Sequence, residues 1–158
     1  MVTVRKVLQN KGGSVWSISP QATAYEALQM MADKDIGALM VMDGKEIVGV
    51  FSERDYARKV ILKGKASKST FVAELMTAPV FYIEPDKSIE ECMALMTTKR
   101  MRHLPVLDKG SLIGLVSIGD VVNALITEQK VVIRDLANYI TGGGYVAETE
   151  QPVIVGKD

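Results

Sequence analysis

Apolar and polar positions recur in two rhythms along this chain, and the same order of rhythms occurs twice. Ala24, Ala27, Leu28 and Met31 are spaced i, i+3, i+4, i+7; Ile89, Cys92, Met93 and Met96 repeat that spacing. Each set predicts one buried face of an amphipathic helix of about three turns. Thr23-x-x-Glu26 opens the first and Ser88-x-x-Glu91 the second. In such a capping box, hydroxyl and carboxylate satisfy N–H groups left free at a helix start. Paired short apolar runs follow: ALMVMD and EIVGVFS around Asp43-Gly44-Lys45, then HLPVLD and SLIGLVS around Asp108-Lys109-Gly110. Each pair predicts a β-hairpin. A helix is expected after each hairpin, over residues 55–62 and 120–129, and entry strands over 14–18 and 80–83. VRKVLQ and VAELMT read as short helical segments running into each copy, and VVIRDLANYI as a further helix or an extension of the last one.

Shifted by 65 positions, the sequence aligns with itself without a gap over residues 15–61. Val15 meets Val80, Trp16 meets Phe81, Pro20 meets Pro85 and Val41 meets Val106. Two copies do not make a solenoid; they make a pseudo-symmetric pair. The expected fold is therefore α/β, two tandem β-α-β-β-α repeats related by a pseudo-two-fold axis. The expected boundaries are 1–66, 67–130, and a C-terminal helix and Gly-rich tail over 131–158, which could dock on a partner. LKGKASKST is a polar linker between the copies.

Composition narrows the function classes. Hydrophobic residues make up 47% and charged residues 24%, ordinary for a globular chain. The 19 basic residues balance 19 acidic ones, so nothing favours nucleic acid or an anionic membrane as a partner. Cys92 is the only cysteine, which fits a reducing compartment. No run approaches the length of a membrane span and the N-terminus has no signal-peptide pattern, so the expectation is a cytoplasmic protein. With His103 the only histidine, and no Cys/His pair, Walker loop or metal cluster, the expectation is a protein that is not an enzyme.

Both second hairpin strands end on one polar corner: Gly49, Ser52, Asp55 and Gly114, Ser117, Asp120. Ser-x-x-Asp is nearly a capping box, so the corners can be plain helix caps. The same geometry suits a nucleoside phosphate. A helix start offers N–H groups and a positive dipole end to phosphate, an ionised carboxylate accepts both hydroxyls of a ribose diol, and the glycine would let a ligand approach the backbone. Spacing alone leaves the two readings open.

The repeat length, the order of elements, and the stretches HLPVLD…LIGLVSIGDVV and GALMVMD…IVGVFSERDY resemble a tandem pair of CBS domains, a Bateman module, over residues 1 to about 130. GVFSERDYARKV, ECMALMTTKRMRHLPV and LANYITGG further resemble a subgroup in which the pair stands alone. The resemblance implies an adenine nucleotide (AMP, ADP, ATP, or NAD(H)) in clefts between the copies, no catalytic cofactor and no metal. It implies that Asp120 and Asp55 hold ribose, with Ser117 and Ser52 close to ribose and phosphate and Ile118 beside them. Thr77, Pro79 and Val80, with His103, Leu104 and Pro105, would frame the base, and Arg102 would meet phosphate. In copy one, Ala38 and Leu39 stand where copy two has His103 and Leu104, and Gly37 replaces Arg102. Arg54 is placed to clamp a phosphate, Arg58 lies one turn on, and Glu53 would repel one. The function implied is a regulatory module that reports nucleotide levels to an unidentified protein, as a homodimer. The alternative is a protein-interaction module with a degenerate cleft.

Overall fold

The computed structural model describes residues 1–12 and 14–140. The chain begins with α1 (Val4–Lys11), then β1 (Ser17–Ile18), α2 (Ala24–Lys34), β2 (Ala38–Asp43) and β3 (Glu46–Ser52). A single turn, α3 (Glu53–Tyr56), continues as a π-helical turn over Ala57–Ile61. The second half holds α4 (Val72–Leu75), α5 (Ile89–Lys99), β4 (His103–Asp108), β5 (Ser111–Ser117) and α6 (Ile118–Ile140).

Local chemistry starts the helices where the apolar pattern predicts them. Thr23 and Glu26 exchange bonds at the head of α2, and Ser88 and Glu91 at the head of α5. Both helices end on a left-handed residue, Asp35 (φ 52°) and Arg100 (φ 54°), which stand 65 apart in the sequence. Both hairpins form and share one defect: the register slips between Val41 and Met42, and between Val106 and Leu107.

Strand alternation sorts side chains into three apolar layers. Leu39, Val41 and Phe51 face α2 in one core. Leu104, Val106 and Val116 face α5 in another. Between the copies lie Ala38, Met40 and Val50, packed with Val80, Leu112 and Leu115.

The run-in helices are exchanged. Val4 and Val7 of α1 are buried in the copy-two core, and the amides of Val4 and Arg5 donate to the carbonyls of Lys87 and Pro85. Val72 and Leu75 of α4 are buried in the copy-one core, where the Val72 and Ala73 amides donate to Ala22 and Pro20. Each copy is thus completed by the segment that precedes the other.

Several elements depart from the sequence reading. The first entry strand shortens to Ser17–Ile18, paired parallel to β2. The second is one parallel bridge, Ile83 to Val106. The last helix starts at Ile118, two residues before the expected start, and runs unbroken to Ile140, so VVIRDLANYI is the extension that one of the two readings expected. Trp16 lies 38% exposed under Lys34, whose ammonium is 4.2 Å from the ring centroid. Phe81 sits equivalently under Lys99 at 4.6 Å. The expected tail over 141–158 lies outside the described residues.

Candidate nucleotide site

The two corners are built alike from their own hairpins. In copy one, the Ser52 amide donates to Asp55 Oδ2 at 3.0 Å and the Asp55 amide returns to Ser52 Oγ at 3.2 Å. In copy two, the Ser117 amide donates to Asp120 Oδ2 at 2.8 Å and the Asp120 amide to Ser117 Oγ at 3.1 Å. Both are reciprocal caps, so the capping reading describes the structure as it stands.

The glycines of the corners do not make room for a ligand. A Cβ on Gly49 would fall 2.6 Å from Met76 Sδ, and one on Gly114 would fall 2.5 Å from Leu8 Cδ2. Both glycines admit an exchanged run-in segment against the strand. Leu8 and Met76 are equivalent once the three extra residues after α1 are counted, so the exchange obeys the same pseudo-symmetry.

Beyond the caps the corners differ. The exit of α4 crosses copy one: Thr77 exchanges backbone bonds with Val50, and its hydroxyl donates to Asp55 Oδ1 at 3.1 Å. Lys59, one turn after Asp55, pairs with the same Oδ1 at 3.2 Å and donates to the Leu75 carbonyl at 2.9 Å. Both oxygens of Asp55 are therefore occupied, and its side chain is 14% exposed. At the other corner, Lys11 at the end of α1 donates to Asp120 Oδ2 at 2.7 Å and to the Leu115 carbonyl at 2.9 Å. Among the described residues every bond to this carboxylate falls on Oδ2, so Oδ1 stays open. Burial pushes the Asp120 carboxyl up, but Lys11 and the Ser117 amide outweigh it, and the net pKa lies below the usual carboxylate range.

His103 opens β4, paired with Ser117 across the hairpin. Its ring also reaches the other copy: Nε2 is 3.8 Å from where a Cβ on Gly37 would sit. A Cβ there would be in ordinary van der Waals contact with the ring. Burial, then Lys11, lowers the His103 pKa against the pull of Asp120, which favours the neutral ring. Arg102 is exposed beside it, and its carbonyl accepts the Ile118 amide at 2.8 Å.

The sequence-predicted residues thus divide. Ser117, Asp120, His103, Arg102 and Ile118 gather at the copy-two corner, and Ser52, Asp55, Ala38 and Thr77 at the copy-one corner. Thr77 does not share a frame with Asp120, because α4 crosses to copy one. Leu39 and Leu104 are fully buried, each facing its own core, so neither side chain can touch a ligand; Pro105 is also buried. Val80 lies in the middle layer, and Pro79, Arg54 and Arg58 are exposed. Lys11 is the site residue that sequence reasoning misses: it belongs to copy one by sequence, and only the exchange brings it to Asp120. Cys92 is fully buried, and burial pushes its thiol up to about 11. Among the described residues no group of three or more His, Cys, Asp or Glu could hold a metal, and no helix is long and apolar enough to cross a membrane.

Two α/β units that face each other across a pseudo-two-fold, each ending a hairpin in a Ser-x-x-Asp helix cap, define a paired-repeat architecture. The chain belongs to the CBS-domain family, whose model matches residues 4–61 and again 72–127. It is similar to the mitochondrial CBS domain-containing protein CBSX3 of Arabidopsis thaliana, 38% identical over 151 residues, 89% of this chain and 73% of that one. Among solved structures it resembles a protein with CBS domains from Burkholderia ambifaria, at 52% identity and TM-score 0.78, covering 81% of this chain and 96% of that one. A hexameric CBS-CP12 protein from bloom-forming cyanobacteria matches at 26% identity and TM-score 0.70, covering 77% and 70%. CBS-domain pair proteins are regulatory modules, and CBS domains bind adenosine-containing ligands and often oligomerise. One relative is mitochondrial, so membership of the family does not by itself imply the cytoplasmic placement expected from the sequence.

Proposed function

We propose that this chain is a regulatory module that senses an adenine nucleotide at the copy-two corner, with Asp120 as the ribose acceptor. One observation carries the assignment: Asp120 keeps an open oxygen, whereas Asp55 has both oxygens occupied by Ser52, Thr77 and Lys59. A diol needs free acceptor positions, and only the copy-two carboxylate offers an open oxygen without disturbing its cap. Ser117 and Arg102 flank it for phosphate, and the neutral His103 ring presents both a donor and an acceptor. The base would lie toward the middle layer. Ligands with one, two or three phosphates, or a second nucleotide as in NAD(H), share the adenosine end this corner reads.

The proposed signal is a change in how two copies of the module, or the module and its target, pack together. Ile118, Val122 and Ile126 lie at successive i, i+4 positions of α6 and are 40%, 40% and 46% exposed, which supports a homodimer through that helix. A ligand shifts such a packing only if it binds the two arrangements with different affinity. Mass spectrometry of small molecules released from the purified chain, followed by calorimetric titration of AMP, ATP and NADH, tests the reading. An adenine nucleotide that binds the wild type but not Asp120→Ala supports it. Folded wild type that binds none of the three refutes it and leaves the corner a cap.

A further inference from the structure

The far half of α6 carries an apolar stripe that its own module does not cover. The family match ends at residue 127, yet the helix runs on to Ile140. The equivalent helix of copy one stops at Ile61. Val122, Ile126, Gln129, Ile133, Leu136 and Ile140 are spaced four, three, four, three and four residues apart. All six are exposed, Ile133, Leu136 and Ile140 by 66%, 57% and 81%. Thr127 and Arg134 fall off the stripe. A repeat averaging 3.5 residues is the one that keeps a seam facing a second helix along its whole length. A helical stretch this short is marginal in water unless its apolar face is packed. The spacing therefore names the occupant as another helix with the same repeat.

Resting on the homodimer part of the reading above, we infer that α6 pairs with α6 of a second copy as a parallel, two-stranded coiled coil over residues 122–140. Ile126, Ile133 and Ile140 take the a positions, where β-branched residues favour two strands, and Val122 and Leu136 take d positions. Gln129, also at d, sets direction and register. In a parallel pair in register it faces Gln129 of the second copy, and each side-chain amide donates to the other's carbonyl. A slip by one heptad sets it against Val122 or Leu136, and its polar atoms are then buried without a partner. An antiparallel pair sets d against a, so Gln129 meets an isoleucine, at the same cost. The contact is isologous and closes as a dimer. Asp120 lies on the same helix two residues before Val122, so the nucleotide corner and the seam share one element.

Sedimentation of the full chain should show a dimer. Ile133→Asp should weaken it by about a hundredfold or more, because the seam would bury the charge twice. Ile133 is exposed in the single chain, so the module should stay folded by circular dichroism. Cysteines placed in the seam report its direction. Val122→Cys and Leu136→Cys, made separately, should each join two copies by a disulfide on mild oxidation, with the buried Cys92 out of reach. An Ile133→Asp chain that dimerises as tightly as wild type overturns this inference and leaves a homodimer through some other surface. A dimer in which only one of the two cysteines cross-links, or neither, overturns the parallel seam. A monomeric wild type overturns both this inference and the homodimer, whatever nucleotide the corner binds.

Discussion

Gly49 and Gly114 sit where a methyl group would overlap an exchanged segment, and the overlap differs between them. At Gly49 the whole Met76 side chain blocks, with Cγ at 2.8 Å and Cβ at 3.0 Å. At Gly114 the nearest atoms are the branched end of Leu8. Gly49→Ala is therefore expected to cost about 1–3 kcal/mol by overpacking, and Gly114→Ala less. Combining Gly49→Ala with Met76→Ala in denaturant unfolding should recover part of the first loss, because the colliding side chain is gone. Simple additivity would place the strain elsewhere. Asp120 offers a second residue-scale test. Its folded pKa lies below the unfolded value of about 3.9. The stability it contributes is thus present above that unfolded value and lost as pH falls through the folded one. Carboxyl NMR should show a depressed midpoint that rises in Lys11→Met; a midpoint indifferent to Lys11 would contradict the ion pair. The fully buried Cys92 thiol should resist alkylation in the folded chain, and labelling at the rate of a free thiol would show that its core opens.

Among the elements, those set by neighbouring residues are legible in the sequence. Caps and hairpins depend on spacings of a few residues, and Thr23, Glu26, Ser88 and Glu91 do what their spacing implies. Both corners are legible for the same reason. The exchange of α1 and α4 is not, because VRKVLQ and VAELMT carry similar apolar patterns and nothing local says which core each completes. Three features of the site are hidden with it: the glycines admit protein rather than ligand, Thr77 lies with Asp55 rather than Asp120, and Lys11 crosses to the far corner. The one available signal is that the run-ins align to each other at a shift three longer than the rest, which makes Leu8 the counterpart of Met76. The exchange predicts where damage appears. Val7→Ala should destabilise by on the order of 2 kcal/mol. In native-state hydrogen exchange the loss of protection should begin in β4 and β5, although residue 7 precedes copy one. Loss confined to β2 and β3 would rule out the crossed packing.

At the scale of the whole molecule, pseudo-symmetry is kept in the frame and broken at the sites. Caps, bulges, left-handed helix ends and the cations over Trp16 and Phe81 all repeat. The surroundings of the two carboxylates do not. Thr77 and Lys59 both occupy Asp55 Oδ1, and Lys11 crosses to Asp120 Oδ2. His103 faces Gly37 at the seam between the copies. On the proposed reading, a module built this way holds one responsive corner and one corner closed by its own side chains. The most direct test is calorimetric titration of AMP into wild type, Asp120→Ala and Asp55→Ala, with each variant's fold checked by circular dichroism. Binding is expected to be lost in Asp120→Ala and to survive in Asp55→Ala. Binding that survives in Asp120→Ala and vanishes in Asp55→Ala would contradict the assignment of the responsive corner to copy two.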